Sequence, residues 1–144
     1  MPEHLDLAKA TFNKTWEYLD RDDRTADDDR EMLAHAAASW YHWRQVGDAK
    51  NRSVSDWQMS RVLAVLGSSR LARSFAGASL KTAQEAKLRG FYVGMAHEAI
   101  ARAAAVGGDD ATRNKHVAKA KDVLATLTDE EEIEVLTADL STVE

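Results

Sequence analysis

Leu5, Ala8, Phe12, Trp16 and Leu19 recur three or four residues apart. That is the spacing of one helix face, and it predicts an amphipathic helix over residues 3–20. The run DRDDRTADDDR, residues 20–30, breaks the pattern. Within it, Thr25 followed three residues later by Asp28 has the form of a capping box that opens a second helix, and the acids Asp27–Asp29 suit the positive N-terminal end of that helix. The second helix is expected over Ala26 to Val46, stopping at Gly47 in a left-handed conformation. A third covers about 49–66 and stops at Gly67. A fourth, capped by Ser68 or Ser69, runs to about Lys87 and ends near Gly90. A fifth runs from Phe91 to Val106, before Gly107-Gly108. A sixth, capped by Asp109 or Asp110, reaches about Leu127. A short seventh lies in DEEEIEVLTADL behind a capping box of Thr128 and Glu131. No segment alternates with period two, so no sheet is expected.

The stops carry more information than the individual boundaries. Gly47, Gly67, Gly90 and Gly107 are 20, 23 and 17 residues apart, so a helix plus its turn takes about 20 residues and a helical hairpin about 40. Gly67 and Gly107 end two comparable phrases, RVLAVLG and ARAAAVG. Repetition of this kind predicts an α-solenoid, in which each hairpin buries its face on the next. The phrase VLAVLGSSRLARSFAGASLKTA resembles the middle of a tetratricopeptide repeat. A helix closes on small and apolar residues, Gly67 turns, Ala72 follows five residues later, and Phe75 and Ala76 continue the second helix. At the second site Thr112 stands at the alanine position, beside Ala111. The strict 34-residue signature and its terminal proline are absent. With SWYHWRQVG, WQMSRVLAVLG and HEAIARA, the chain is also similar to small uncharacterised bacterial tetratricopeptide-like proteins. The resemblance implies a fold and no particular activity. The expected architecture is all-α: a right-handed tetratricopeptide-like array of antiparallel hairpins, about seven helices in one domain. Residues 1–31 form the N-terminal helix and acidic linker, 32–127 the repeat hairpins, and 128–144 a C-terminal capping helix.

Composition narrows the chemistry. With 144 residues the chain is long enough for a core without a metal or disulfide staple. It contains no cysteine, which excludes a zinc ribbon, a thiol nucleophile and a disulfide scaffold and is compatible with a reducing, cytoplasmic setting. The abundance of alanine, with Pro2 the single proline, favours helix. The formal net charge of -5 disfavours nucleic acid, whose binding depends on neutralising phosphates. Residues 61–89 nevertheless carry Arg61, Arg70, Arg73, Lys81, Lys87 and Arg89 against Glu85 alone, the best landing place for an acidic partner. No apolar run approaches the roughly 20 residues of a membrane span, and MPEHLDLAKA lacks a signal-peptide apolar core. A soluble, cytoplasmic protein without a membrane partner is expected.

The phrase SWYHWRQVG concentrates the candidate chemistry. At 100° per residue, Ala36, Trp40, Trp43 and Gly47 share one stripe, and His35, Ser39, His42 and Val46 another. Trp40 and Trp43 read as packing knobs between helices, or as an aromatic wall for a ligand or peptide. Trp57 and Arg61, one turn apart, suggest either a stacked cation–π contact or a guanidinium aimed into a groove. His35 and His42 lie about 10 Å apart along the helix, too far for one ordinary metal ion. Zinc-protease and di-iron helix motifs are both missing, so no metal or cofactor is expected. Glu98 and Arg102 form a favourable i, i+4 pair, read as a surface or half-buried ion pair, with His97 bonded to a neighbouring helix. The sharper reading makes His97 and Glu98 an acid–base couple facing the Trp40/His42 wall. The Arg-x4-His pattern of Arg30 and His35 resembles HEPN-type helical ribonucleases. It departs from them in Glu31 after the arginine and in the adjacent acidic run, which would repel RNA. Gly77 and Gly94, inside helices, suggest close helix approach.

The function expected on these grounds is a non-enzymatic module that binds a protein or peptide. Its groove would be lined by Trp40, His42, Trp43, Trp57, Arg61, Tyr92 and His97. The alternatives are a small helical enzyme using His42, His97 and Glu98, or an HEPN-like ribonuclease. The apolar last helix, with Ile133, Val135, Leu136 and Leu140, is expected to cap one end or to mediate a homodimer.

Overall fold

The computed structural model describes residues 3–144; Met1 and Pro2 lie outside the described residues. These form seven α-helices and no strand: α1 His4–Leu19, α2 Ala26–Val46, α3 Ala49–Val65, α4 Ser69–Glu85, α5 Gly90–Val106, α6 Asp110–Leu124 and α7 Glu130–Ser141. Side-chain caps set four of the starts. Thr25 and Asp28 make the capping box expected of them. A second box, of Asp48 and Asn51, opens α3, and Asp109 caps α6 by accepting from the Thr112 N–H. At α7 the cap is Asp129, which accepts from Glu132 N–H, one residue beyond the Thr128/Glu131 box expected from sequence. Asp takes the role because its short carboxylate reaches the N3 amide as well as a hydroxyl does.

The turns differ from expectation in an instructive way. Gly67 has φ +83° and Gly108 φ +74°, the left-handed conformation that glycine adopts without penalty. Gly47 does not; its φ is -81°. Glycine is needed there for space, because a Cβ would sit 2.6 Å from the Trp43 carbonyl oxygen and 2.7 Å from Asn51 Cβ. After α4 the left-handed position falls on Lys87, φ 53°, and Gly90 begins the next helix.

Consecutive helices pair most closely as α1/α2, α3/α4 and α5/α6. Further contacts join α2 to α3, α4 to α5, α3 to α5, and α7 to both α5 and α6. Contacts within each pair run in opposite chain order. In the first, His4 meets His42, Ala8 meets Ser39 and Tyr18 meets His35. In the second, Ser53 meets Ser79 and Ser60 meets Ala72. The pairs are therefore antiparallel hairpins. Buried serines fasten them, each hydroxyl donating to a carbonyl of the facing helix: Ser53 and Ser79 reciprocally at 3.0 and 2.8 Å, and Ser60 to Ala72 at 2.8 Å. A hydroxyl bonded this way adds little bulk and leaves no buried donor unpaired.

Small residues bring α5 into the middle. Every residue from Gly94 to Ala101 is buried, as are Ala103 and Ala104. A Cβ on Gly94 would lie 2.9 Å from Leu136 Cδ2 and 3.0 Å from Val123 Cγ1, so glycine there allows α6 and α7 to close on α5. Gly77, in contrast, faces open space, and no close approach requires it. Leu136 and Leu140 of α7 are buried with Met95 and Ala120. Tyr18, Met32, Ala36, Met59 and Val62 anchor the larger cluster under the first two hairpins, with Trp40 and Phe75 packed against it.

Candidate functional site

Three positions one turn apart on α3, Lys50, Val54 and Trp57, organise one face of the molecule. Val54 and Trp57 share a face of the otherwise mostly small and polar stretch SVSDWQMS, whose third apolar residue, Met59, is buried in the core. Together with Phe91, Tyr92 and Met95 of α5 and Val135 of α7 they line a cavity of about 290 Å³ floored by Ser53 and Ser79. The floor hydroxyls satisfy each other and the facing carbonyls, so the cavity presents a nearly apolar interior. Such a volume lies at the small end of ligand-binding pockets. Trp57 is its central wall: its ring lies tilted against that of Trp16, centroids 5.6 Å apart, and it packs against two buried clusters. Its Nε1 is buried with no hydrogen-bond partner, a cost on the order of 1–3 kcal/mol. Val54 also lines a second, smaller cavity of about 180 Å³ with Phe12, Trp43, Lys50 and Asn51.

The structure thus gathers some of the residues selected from sequence and disperses others. Trp57 and Tyr92 share the larger cavity and Trp43 lines the adjoining one. Trp40 turns inward. Its Nε1–H donates to Asp56 Oδ1 at 2.7 Å, its ring meets Phe75 edge-on, and the Arg44 guanidinium lies 4.6 Å from its centroid. Burial raises the Asp56 pKa and the bond from Trp40 opposes the rise. His42 joins His4 of α1, Nδ1 to Nδ1 at 2.8 Å, at the open end of the first hairpin. His97 joins His116 of α6 in the same way at 2.9 Å, with the rings stacked. Burial, the neighbouring His116 and Lys119 push the His97 pKa down to about 4.

Arg61 does not stack on Trp57. It turns to Glu98, 3.6 Å from Nη1, and to Asp139, 3.3 Å from Nη2. Glu98 is fully buried, deeper than the surface or half-buried pair expected, and Arg102 donates to it through Nε at 2.8 Å. Arg102 also donates to the Asp139 carbonyl and to Thr142 Oγ1. Desolvation raises the Glu98 pKa, and the two arginines oppose the rise. This ionic cluster ties α3, α5 and α7 together under a polar cleft of about 480 Å³ whose walls include Trp16, Asp20, Asp22, Arg61 and Arg102.

The candidate acid–base residues are therefore occupied separately: His42 by His4, His97 by His116, Glu98 by arginines. Arg30 and His35 also part company. Arg30 pairs with exposed Asp27, while His35 Nδ1–H donates to the Glu31 carbonyl at 2.7 Å and its ring faces Tyr18. Among the described residues no three His, Asp or Glu side chains are grouped to hold a metal ion, and no helix is long and apolar enough to cross a membrane. Sequence reasoning missed Phe12, Val54, Phe91, Met95 and Val135. The turn spacing of Val54 and Trp57 on a polar helix was the available signal. For Phe91, Met95 and Val135, only the packing of α5 on α3 and α7 supplies one. No protein-family model matches the chain, and neither does any curated protein or solved structure.

Proposed function

We propose that this protein is a non-enzymatic interaction module, a tetratricopeptide-like array that binds a segment of another protein, in a cytoplasmic setting that suits a chain without cysteine. The observation that carries the reading is the apolar cavity between α3, α5 and α7, walled by Val54, Trp57, Phe91, Tyr92, Met95 and Val135. Its size and lining suit an apolar anchor side chain, the feature on which most peptide recognition turns. Sequential hairpin packing supports the array reading, since each helix touches partners one or two places along the chain. The same face includes residues of α1, α3, α5 and α7, the odd-numbered helices of such an array. The candidate catalytic side chains do not converge on one another: His42 meets His4, His97 meets His116, and Glu98 meets Arg102 and Arg61.

Photo-crosslinking tests the proposal. A benzoylphenylalanine placed at Tyr92 is expected to capture a partner from a cell extract, and the capture should vanish when Val54→Glu is added. The same probe at Leu71, exposed on α4, should not give that product. Equal capture from both positions, or capture from Tyr92 that survives Val54→Glu, rejects the cavity as the binding site.

A further inference from the structure

We infer that the partner segment is an amphipathic helix, seated with an acidic side chain toward Lys50 and a basic side chain toward Glu131. This rests on the binding reading above and supplies its chemistry and direction. Among the described residues there is no strand, so no open sheet edge offers backbone pairing, and affinity must come from side-chain anchors. The two apolar cavities share Val54. One segment crossing this face meets them in succession, and a helix presents apolar residues on one side at three- and four-residue spacing.

Charge sets the direction. Lys50 is the single charged side chain lining either cavity. It precedes Val54 by one helical turn, so the two share a face; it is exposed, and no carboxylate of the described residues lies within ion-pair distance. Glu131 stands in the same relation to Val135 at the α7 end, exposed and likewise without a cation. Of the other α7 acids, Glu132 is held by Arg89 at 2.7 Å and Asp139 by Arg61, while Glu130 and Glu134 are exposed like Glu131 and add to the negative charge at this end. The face therefore runs from an unpaired cation beside the Trp43 cavity to an unpaired anion beside the Val135 wall. A helix laid the other way would set like charges against both ends.

Panning the full chain against a display library of random 16-residue peptides, then measuring the enriched peptides by tryptophan fluorescence, tests this. Enriched peptides should carry apolar residues at helical spacing, flanked by acid at one end and base at the other. Lys50→Glu and Glu131→Lys should each weaken binding about two- to fivefold at low salt, and peptides with the charges exchanged should recover it. Peptides that lose binding on Val54→Glu but ignore both charge reversals overturn the inference and leave the binding reading standing. No enrichment, or enriched peptides that bind the Val54→Glu variant equally well, overturns both.

Discussion

Two glycines placed alike in the sequence have opposite roles in the fold. Gly77 and Gly94 each interrupt a helix interior, where glycine is less stable than alanine by about 1 kcal/mol. At Gly77 an added Cβ meets nothing within 4 Å, so Gly77→Ala is expected to stabilise the protein by about 0.5–1 kcal/mol. At Gly94 the same methyl group would press on Leu136 and Val123. Both are side-chain ends that can give only by disturbing their own packing, so Gly94→Ala should destabilise by about 1–2 kcal/mol. Urea unfolding of the two variants checks the pair, and a stabilised Gly94→Ala would contradict the close packing of α5 with α7. A similar contrast separates the tryptophans of SWYHWRQVG. Trp40 is held inward by Asp56, whereas Trp43, three residues on, borders a cavity.

At the scale of the element, α5 and α6 are joined by a contact sensitive to acid. The hydrogen bond between His97 and His116 survives while at least one ring is neutral. His97 has its pKa lowered to about 4, and that of His116 is also lowered, by burial first and then by Lys119, Lys115 and Arg73. A histidine with a depressed folded pKa binds fewer protons when folded than when unfolded, so its contribution to stability is lost as pH falls. The window lies between the ordinary value near 6.5 and about 4. The loss from His97 should reach about 2–3 kcal/mol at the acid end. Glu98 works in the opposite sense, since its raised pKa makes the folded state hold its proton more tightly. His97→Gln is therefore expected to flatten the fall in thermal midpoint between pH 6.5 and 4. An unchanged pH profile in that variant would remove the histidine pair as its source.

For the molecule as a whole, stability should peak at α5. It is buried along most of its length and packs on α3, α4, α6 and α7, while α6 contributes a single buried residue, Ala120. Native-state hydrogen exchange is expected to show the slowest amides in α5, between about Met95 and Ala104, with α6 and α1 opening at lower free energy. Equal protection in α1 or α6 would mean that the chain unfolds as one unit with no graded opening. Buried Glu98, with the half-buried Arg61, Arg102 and Asp139 around it, contributes to the same centre by binding α3, α5 and α7.

The number of helices and nearly all of their ends were legible in the sequence, because caps, glycine turns and helical periodicity act within a few residues of one another. Thr25 with Asp28, Gly67 and Gly108 show this directly. The reason for Gly47 was not legible, since it depends on how Trp43 and Asn51 crowd the turn. Nor was the site. Periodicity orients a side chain on its own helix and says nothing of which helix it meets. Only the packing of α5 against α3 and α7 set Tyr92 beside Trp57, turned Arg61 to Glu98, and paired His97 with His116 instead of the Trp40 wall. The histidine and arginine partners are 19 and 37 residues distant in the chain, and contacts of that range are decided by which faces bury best together.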